Sequence, residues 1–352
     1  MRIIGKIHSI SKRNISLPSA SVEIENISED GDNQRIDNFF FKRFKSVPKS
    51  HIYQLLRSGQ VRVNGKRVSF HYRLRQGDAL RIPPIFNGLS RSDRQEKKIQ
   101  SKRVALNIIF EDDMVLVISK PSGLAVHGGS GVSFGVIEQL RAQRSELKFL
   151  ELVHRLDRET SGVLLLAKKR SALVELHRQI RSDQTEKRYK VMVKGHWPNS
   201  RQNVRAPLIK YLTASGERRV MVATNKKQSD QQKTYKVMAA HTVFNLIHAW
   251  QQFSLLSAEL KTGRTHQIRV HLAHLGFPIV GDDKYGDFGL NKQLAKNSNN
   301  VNASMPCLSR MFLHAYSIAI KHPLSGKPMK FIAPLSAELQ TFITHLEQSE
   351  FG

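Results

Sequence analysis

The sequence is poor in cysteine and in long apolar runs, and each shortage excludes a class of protein. Its 352 residues contain one cysteine, Cys307, so neither a disulfide within the chain nor a cluster of thiolate metal ligands can form. This composition fits a reducing compartment. The apolar runs, such as 163–167, are far shorter than the ~20 residues of a membrane helix, and the N-terminus lacks the apolar stretch of a signal peptide. We therefore expect a cytoplasmic protein.

Acidic residues are also scarce, which leaves the chain strongly basic. There are 29 acidic residues against 56 lysines and arginines, a formal net charge of +27. Such a surface repels itself unless a polyanion screens it, and nucleic acid binds mainly through its phosphates. The excess is concentrated, because residues 41–105 contain 17 lysines or arginines and 3 acidic residues. The sequence therefore predicts a nucleic-acid partner and a binding surface in that segment.

The chain divides by composition into a small basic module and a large domain. Two helical patterns and an Asn64-Gly65 hairpin signal indicate a compact module with two short helices and a small sheet. A segment rich in serine, arginine and lysine then predicts a linker. The predicted divisions are a flexible N-terminal tail at 1–33, the basic module at 34–84, the linker at 85–103, the large domain at 104–340, and a C-terminal tail at 341–352.

The order of elements in the large domain predicts its fold class. Several predicted strands follow one another without an intervening helix, which favours an α+β fold with a mixed, largely antiparallel sheet. An asparagine-rich segment at 291–302 is expected to be a surface loop. The strand-like runs are Met114–Ile118, Gly162–Ala167, Tyr189–Val193, Phe253–Leu260, Phe312–Ile320 and Pro328–Ile332. The helix-like runs are Phe134–Arg144, Ser171–Ile180 and Thr265–Leu275.

A first candidate site is the polar turn His154-Arg155-Leu156-Asp157-Arg158-Glu159-Thr160-Ser161-Gly162, which leads directly into an apolar strand. Loops at the ends of rigid strands commonly display catalytic groups. The two arginines that flank Asp157 should keep its carboxylate ionised. The alternative is a structural aspartate that caps the turn or pairs with Arg155 and Arg158.

Two further segments carry candidate residues. Tyr189 stands near the start of a basic strand, where it could stack on an unpaired base, or it could be a core tyrosine. Arg264 follows Gly263 at the start of a predicted helix, with Thr265 as N-cap and Gly276 as the stop. An arginine in this turn could take part in catalysis, bind phosphate or be purely structural.

Two rival chemistries have weaker signals. Three histidines, His266, His271 and His274, resemble a metal-ligand cluster, but their spacing is loose and no cysteine joins them. Ser133, Asp157 and His266 stand in the order of a serine hydrolase, but no strand leads into Ser133, which suits a helix N-cap. No glycine-rich phosphate loop is present. We therefore expect neither a metal nor a cofactor.

Taken together, these motifs resemble a known family. The turn at 154–162 is similar to the signature of the RluA-type pseudouridine synthases, and the segments at 187–195, 263–269 and 311–315 are similar to its other motifs, in the same order. The resemblance spans roughly residues 104–335, and within the family it is strongest to members that act on large-subunit ribosomal RNA. The basic module resembles the small RNA-binding domain named after ribosomal protein S4.

The resemblance implies a reaction and roles for residues. The enzyme would isomerise specific uridines of large-subunit (23S) ribosomal RNA to pseudouridine on a flipped-out nucleotide, without a cofactor and as a monomer. Asp157 would be the essential carboxylate, Arg264 would pair with it, and Tyr189 would stack on the base and could accept a proton. Arg155 would enter the space that the extruded nucleotide leaves. Further RNA contacts are expected from four basic residues of the module, Arg57, Arg62, Lys66 and Arg67.

Overall fold

The computed structural model describes most of the chain as two compact units, Met1–Arg94 and Gln95–Gly352. The described residues are 22–44, 47, 49–85, 105–128, 135–213, 217–223, 236–296 and 306–351. The predicted linker lies outside them except for its first residue, and so do residues 1–21 of the predicted N-terminal tail. Across the described residues, no helix combines the length and the apolar character that are needed to cross a membrane.

The first unit packs two helices against a three-stranded antiparallel sheet in the order β1-β3-β2. Its strands are β1 (Glu23–Asn26), β2 (Arg62–Val63) and β3 (Ala79–Ile82), and its helices are α1 (Ile36–Arg43) and α2 (Lys49–Arg57), with a short 3-10 helix at Glu29–Gly31. Apolar side chains at helical and alternating spacing fill one core between these layers. Fully buried examples are Ile36, Phe40, Ile52, Leu74 and Leu80.

The predicted hairpin turn of this unit is confirmed, but the predicted tail is partly wrong. Asn64 and Gly65 both have positive φ, 51° and 73°, as a two-residue type I′ turn requires. The arm after the turn forms only an isolated bridge, so the sheet continues through β3. The prediction of a flexible tail fails for residues 23–31, because Glu23–Asn26 pairs with β3 and Ile27 is buried. A strand this short and exposed carries no clear alternation that the sequence could reveal.

The second unit is built on a ten-stranded mixed sheet, with a separate two-stranded hairpin. Its path runs β4-β5-β7-β14-β8-β13-β12-β9, with β15 paired to β14 and β6 to β7. Only β7 and β14 pair in parallel among the described strands. The predicted α+β class with a mixed, largely antiparallel sheet is confirmed. The strands are β4 (Asn107–Glu111), β5 (Val115–Lys120), β6 (Glu151–Leu152), β7 (Ser161–Ala167), β8 (Glu186–Lys194), β9 (Arg201–Val204), β10 (Leu208–Leu212), β11 (Arg218–Val222), β12 (Thr242–Ala249), β13 (Phe253–Leu260), β14 (Leu313–Lys321) and β15 (Pro328–Ile332).

Helices cover both faces of this sheet, and its strand β7 is accordingly apolar over most of its length. In β7 every residue is buried. Leu164 and Leu166 pack in one apolar cluster, and Val163 and Leu165 pack in another. Continuous apolar strands are typical of sheets that are covered on both faces. The helices of this unit are α3 (Val136–Gln143), α4 (Arg170–Arg181), α5 (Gln267–His274), α6 (Phe288–Lys296) and α7 (Ala337–Phe351).

Two predicted irregular segments of the second unit are helical instead. The predicted C-terminal tail at 341–352 forms most of α7, whose fully buried Phe342 packs against the rings of Phe253 and Phe312 at 5.7 and 5.8 Å. The predicted loop at 291–302 begins within α6, where the amide of Asn291 accepts a hydrogen bond from the Gly281 N–H. Residues 297–302 of that loop lie outside the described residues.

Candidate active site

Two cavities of about 420 Å³ each meet at Asp157. The first is walled by Tyr189 and Lys187 from β8, and the second by His127 and Lys284. Residues from the loop before β7 and from the start of α5 line both. These shared residues are Arg155, Leu156, Asp157, Thr265, His266 and Arg269. The sequence motifs at 154–162, 187–195 and 263–269 therefore converge on one place, as expected.

The loop that carries Asp157 is fixed from the β7 side. Leu156 is buried in the main core, and His154 accepts a hydrogen bond at Nε2 from the Leu165 N–H at 3.1 Å. Burial, together with the charge of the nearby Lys187, lowers the pKa of His154 to about 4, so the ring is a neutral acceptor at pH 7. A buried leucine on one side and a buried strand on the other leave Asp157 facing the cavities.

A buried lysine fixes the other side of the same loop. Lys120 is 1% exposed, and its ammonium donates to three carbonyl oxygens, those of Pro121 at 2.8 Å, Leu124 at 2.7 Å and Arg158 at 3.0 Å. Burial lowers the pKa of Lys120 to about 7. The Ser122 hydroxyl also donates to the backbone of the loop, at 2.7 Å. The end of β5 thus holds the loop that carries Asp157 by hydrogen bonds to its main chain.

The charged groups around the Asp157 carboxylate come from α5, not from its flanking arginines. Its Oδ2 lies 3.6 Å from Arg269 Nη1 and 3.9 Å from His266 Nε2. Arg158 instead pairs with Glu159, at 2.7 Å. The interpretation of Asp157 as the partner of Arg158 is therefore wrong. The carboxylate is 27% exposed, which leaves it open to a ligand.

The predicted pairing of Arg264 with Asp157 is also wrong, because the nearby guanidinium belongs to Arg269. Arg264 is exposed, and its Nε donates to the Ala239 carbonyl at 3.0 Å, although the residue still lines the first cavity. Arg269 stands in the first turn of α5 and is 2% exposed. The helix begins at Gln267, after His266 in a left-handed conformation with φ 53°, and not after Thr265. This turn directs Arg269, five residues later than expected, at the carboxylate.

Arg269 is held in place by a second, fully buried carboxylate. Its Nε and Nη2 donate to Asp282 at 2.7 and 2.6 Å, and Nη2 also donates to Asp283 at 3.0 Å. The N–H groups of Lys284 and Tyr285 donate to Asp282 as well. Burial opposes ionisation of both partners, but their hydrogen bonds outweigh it, so the pKa of Arg269 is raised and that of Asp282 is lowered. Nη1 remains directed at Asp157.

His266 is positioned by a tyrosine from the loop before α6. Its Nδ1 lies 2.9 Å from the Tyr285 hydroxyl, which itself accepts a hydrogen bond from the Val220 N–H at 3.1 Å. We assign the Tyr285 proton to the bond with Nδ1, which leaves the histidine proton on Nε2, the atom nearest Asp157. Burial lowers the pKa of His266, while the charge of Asp157 raises it.

A buried glutamine organises the turn between β13 and α5. Gln267 is 2% exposed, and its side-chain oxygen accepts hydrogen bonds from the Thr262 hydroxyl at 2.8 Å and the Arg264 N–H at 3.1 Å. Its amide nitrogen donates to the His241 carbonyl and to the Thr242 hydroxyl. The sequence motif contains Gln267 and Arg269, but nothing in their spacing reveals that both are buried.

Tyr189 forms part of the wall of the first cavity and is also part of the core. It is 7% exposed and lies between Ala258 and Ala315 of the neighbouring strands, whose small side chains leave room beside the ring. Burial and the negative charge of Asp157 both raise the pKa of Tyr189. The phenol therefore stays protonated at pH 7, which favours a stacking role and does not suit acceptance of a proton.

The other predicted RNA-binding residues are all exposed. Arg155 lines both cavities beside Asp157. On the first unit, Arg57, Arg62 and Arg67 each donate to a nearby backbone carbonyl, and Lys66 extends from the hairpin turn. Arg62 is directly opposite Arg81 on β3. Like charges at opposed strand positions repel each other, so an anion bound there would be favourable.

The described residues do not bring the three histidines of the helix region together as metal ligands. His271 is buried between the Thr242 hydroxyl and the Ala206 carbonyl, at 3.0 and 2.9 Å. Across the ranges that the structure describes, no group of three or more potential metal ligands is found. Ser133 lies outside those ranges, and α3 begins at Val136 with Gly135 as its N-cap.

Comparison with known proteins identifies both units. The family model of RNA pseudouridylate synthases matches residues 114–274, and that of the S4 domain matches residues 34–80. The chain is 44% identical to ribosomal large subunit pseudouridine synthase C of Haemophilus influenzae, over 97% of this chain and 100% of the relative. It is 45% identical to the protein of the same name in Escherichia coli, over 94% and 98% of the two chains.

This chain belongs to the family of RNA pseudouridylate synthases. Its fold agrees, because the structure matches human RNA pseudouridylate synthase domain containing 4 with a TM-score of 0.52 at 21% identity, over 72% of this chain and 96% of that one. The corresponding human domain-containing 1 protein matches with a TM-score of 0.50 at 22% identity. The family match extends from β5 to α5 and so includes Asp157, Tyr189 and Arg269. The predicted family resemblance and the predicted S4 domain are confirmed.

Proposed function

We propose that this chain converts specific uridines of large-subunit ribosomal RNA to pseudouridine, with Asp157 as the catalytic carboxylate. The observation that carries the proposal is the Asp157 carboxylate at the junction of two cavities, 3.6 Å from a guanidinium that a buried aspartate holds in place. The large-subunit substrate is supported by relatives of that name, which align over nearly their whole length.

The reaction breaks the bond between ribose C1′ and uracil N1 and forms a new one from C1′ to C5. A base in a helical stack is inaccessible, so the nucleotide must flip out, at a cost of a few kcal/mol. Contacts of the S4 domain with phosphates can supply that free energy from a distance. Arg155 is exposed beside Asp157 and can occupy the space that the nucleotide leaves.

Each side chain then has a task that its surroundings suit. Tyr189 offers a ring face to the uracil and stays neutral. Arg269 places a fixed positive charge beside the Asp157 carboxylate, and a fixed cation needs no reorganisation during the reaction. His266 Nε2 lies 3.9 Å from the same carboxylate oxygen. Asp157 can attack C1′ or remove a ribose proton from this position.

Mapping of pseudouridines in cellular rRNA tests the proposal. Cells that lack the protein should lose specific pseudouridines in large-subunit RNA, read as missing reverse-transcription stops after carbodiimide labelling. The wild-type chain should restore them, and Asp157→Asn should not. Asp113→Asn, an exposed aspartate outside both cavities, is the matched control. Restoration by Asp157→Asn would mean that Asp157 is not the catalytic carboxylate, and loss confined to other RNAs would refute the substrate assignment.

A further inference from the structure

A second buried lysine, Lys187, lies in the wall of the first cavity. It is 8% exposed and precedes Tyr189 by two residues on β8, so the two side chains share one face of the strand. Both line the cavity that contains Asp157. Their Cα atoms are about 7 Å apart along the strand, which is within reach of a single nucleotide.

Lys187 differs from Lys120, the other deeply buried lysine of the site, in having no partner. The three protons of the Lys120 ammonium meet three carbonyl oxygens. Within the described part of the chain, the ammonium of Lys187 has neither a hydrogen bond nor an ion pair. Its Nζ is nevertheless not fully enclosed by protein atoms. The ammonium therefore remains partly accessible, and Lys187 lines the first cavity.

A buried ammonium without a partner destabilises the fold and favours the binding of an anion. Burial is the main cause that lowers the pKa of Lys187; the nearby Lys261 adds to it and Asp183 opposes it. An unpaired buried cation is unfavourable unless a ligand compensates it. Negative charge that arrives in the cavity would raise this pKa again and would be stabilised in return.

The position of Lys187 relative to Asp157 indicates which part of a nucleotide it would meet. In the register of the sheet, Tyr189 is opposite Ala315, which pairs with Gly162 near the start of β7, where the loop that carries Asp157 ends. Lys187 is opposite Ile318, farther from that end of β7. With the ribose at Asp157 and the uracil on Tyr189, Lys187 faces the base.

Resting on the proposed function, we propose that the Lys187 ammonium binds the uracil carbonyl oxygens and stabilises the negative charge they carry once the base has left the ribose. When the C1′–N1 bond breaks, its electron pair stays on the uracil and spreads over N1, O2 and O4. The sugar is completed by a bond from Asp157 to C1′ or by loss of a ribose proton. The ring then turns, and C5 bonds to C1′ as the Asp157–C1′ bond breaks or as the ribose regains its proton. The C5 proton leaves, and N1 takes up a proton.

Single-turnover kinetics on a large-subunit rRNA transcript test this role. Lys187→Met keeps the length of the side chain and removes its charge. The expected result is a rate about 10²–10³-fold slower, as for loss of one preorganised donor to a developing oxyanion, with an unchanged Kd and an unfolding midpoint that is equal or higher. Lys187→Arg should recover part of the rate. Lys190→Met removes the same charge from the opposite face of β8 and should leave the rate unchanged.

A substrate with a better leaving group adds a readout that a structural role would not move. In RNA with 5-fluorouridine at the target, the detached base is a weaker base, so the defect of Lys187→Met should shrink. A phosphate contact would instead leave the rate unchanged and flatten the log–log dependence of Kd on salt by about 0.7, which would overturn the proposal. An unchanged rate and salt dependence would overturn it as well. If the wild-type chain and Lys190→Met were both inactive on the unmodified transcript, the proposed function itself would fail.

Discussion

At the scale of single residues, the Asp157 carboxylate lies beside a cation that is itself fixed in place. Arg269 shares its guanidinium between Asp157 and the buried Asp282, and the hydrogen bonds to Asp282 determine its orientation. Arg264, from the same motif, turns away to the Ala239 carbonyl. The two arginines therefore offer a matched pair of variants.

Arg269→Met should be far more harmful than Arg264→Met. We expect Arg269→Met to lower the single-turnover rate at least about 100-fold, because a preorganised charge is lost. It should also lower the free energy of unfolding by about 3–5 kcal/mol, because Asp282 stays buried without its partner. Arg264→Met should keep the rate within a few-fold. Kinetics and denaturant unfolding measure both effects.

A double variant separates catalysis from stability. In Arg269→Met/Asp282→Asn no buried charge is left unpaired, so most of the lost free energy of unfolding should return while the rate stays low. A larger loss of rate in Arg264→Met than in Arg269→Met would contradict the assignment.

The residue scale shows where sequence reasoning fails in the site. The place of Asp157 in a charged turn before an apolar strand and that of Tyr189 on a basic strand are visible in the sequence. The residues alone left a structural aspartate and a core tyrosine open, and the resemblance to the pseudouridine synthases suggested their roles. The choice between Arg264 and Arg269 could not be predicted, because it depends on the left-handed conformation of His266 and on a buried partner, Asp282, that is 13 residues away in sequence from Arg269.

At the scale of elements, the pairing of β7 with β14 supports the loop that carries Asp157. The parallel register aligns His314 with Ser161 and Ala315 with Gly162. Gly162 has φ 110°, and a Cβ there would lie 2.2 Å from the Ala315 carbonyl oxygen, so only glycine fits. His314 bridges strands, since its Nδ1 lies 2.8 Å from the Ser161 hydroxyl and its Nε2 donates to the Ala333 carbonyl at 2.9 Å.

This bridge predicts a loss of stability in mild acid. Burial lowers the pKa of His314 from 6.5 to about 4, and the charges of Arg310 and Lys190 contribute. The unfolded chain therefore takes up the proton first, and the free energy of unfolding should fall as the pH falls from 6.5 to 4, by up to about 3 kcal/mol from this residue. Urea unfolding at a series of pH values measures the slope.

Two histidine variants test whether His314 causes this pH dependence of the free energy of unfolding. His314→Gln should be less stable at pH 7 but should show a flatter dependence between pH 6.5 and 4. His274→Gln, at an exposed position of α5, should keep the slope of the wild type. An equal slope in His314→Gln and in the wild type would refute the attribution.

Elements with a strong pattern could be predicted and those without one could not. The strands Phe253–Leu260 and Pro328–Ile332 have the predicted bounds, because β-forming residues and turn signals delimit them. The helix α7 has apolar residues at helical spacing, among them Phe342 and Leu346, but its position at the end of the chain favoured a tail. The strand β1 exposes Ile24 by 70% and has no pattern to detect.

At the scale of the whole molecule, two units with separate cores share one excess of positive charge. Composition alone predicted a polyanionic partner, since the chain has 56 basic residues and only 29 acidic ones. It could not predict which cations contact RNA. The exposed Arg62, Lys66 and Arg67 surround the hairpin turn of the S4 domain and are the candidates that the structure leaves accessible.

Removal of these charges should weaken RNA binding in a salt-dependent manner. We expect the triple change Arg62→Gln, Lys66→Gln and Arg67→Gln to reduce the slope of log Kd against log salt by about two, at roughly 0.7 per phosphate contact. The rate at saturating enzyme should not change. Filter binding between low and moderate KCl concentrations measures the slope.

A second triple variant tests whether position matters. Changing Lys321, Lys327 and Lys330 to glutamine removes the same charge from exposed positions of the β14–β15 hairpin. Its slope should stay closer to that of the wild type. Equal slopes for the two triple variants would mean that only the total charge matters.

The rate of tritium release from RNA labelled at uracil C5 is the most direct test of the whole account. Purified Asp157→Asn, in excess over a large-subunit rRNA transcript, should release tritium at least about 10⁴-fold more slowly than the wild type, while its Kd for the RNA stays within a few-fold. A rate within ten-fold of the wild type, with the protein folded and bound, would mean that another group performs the chemistry.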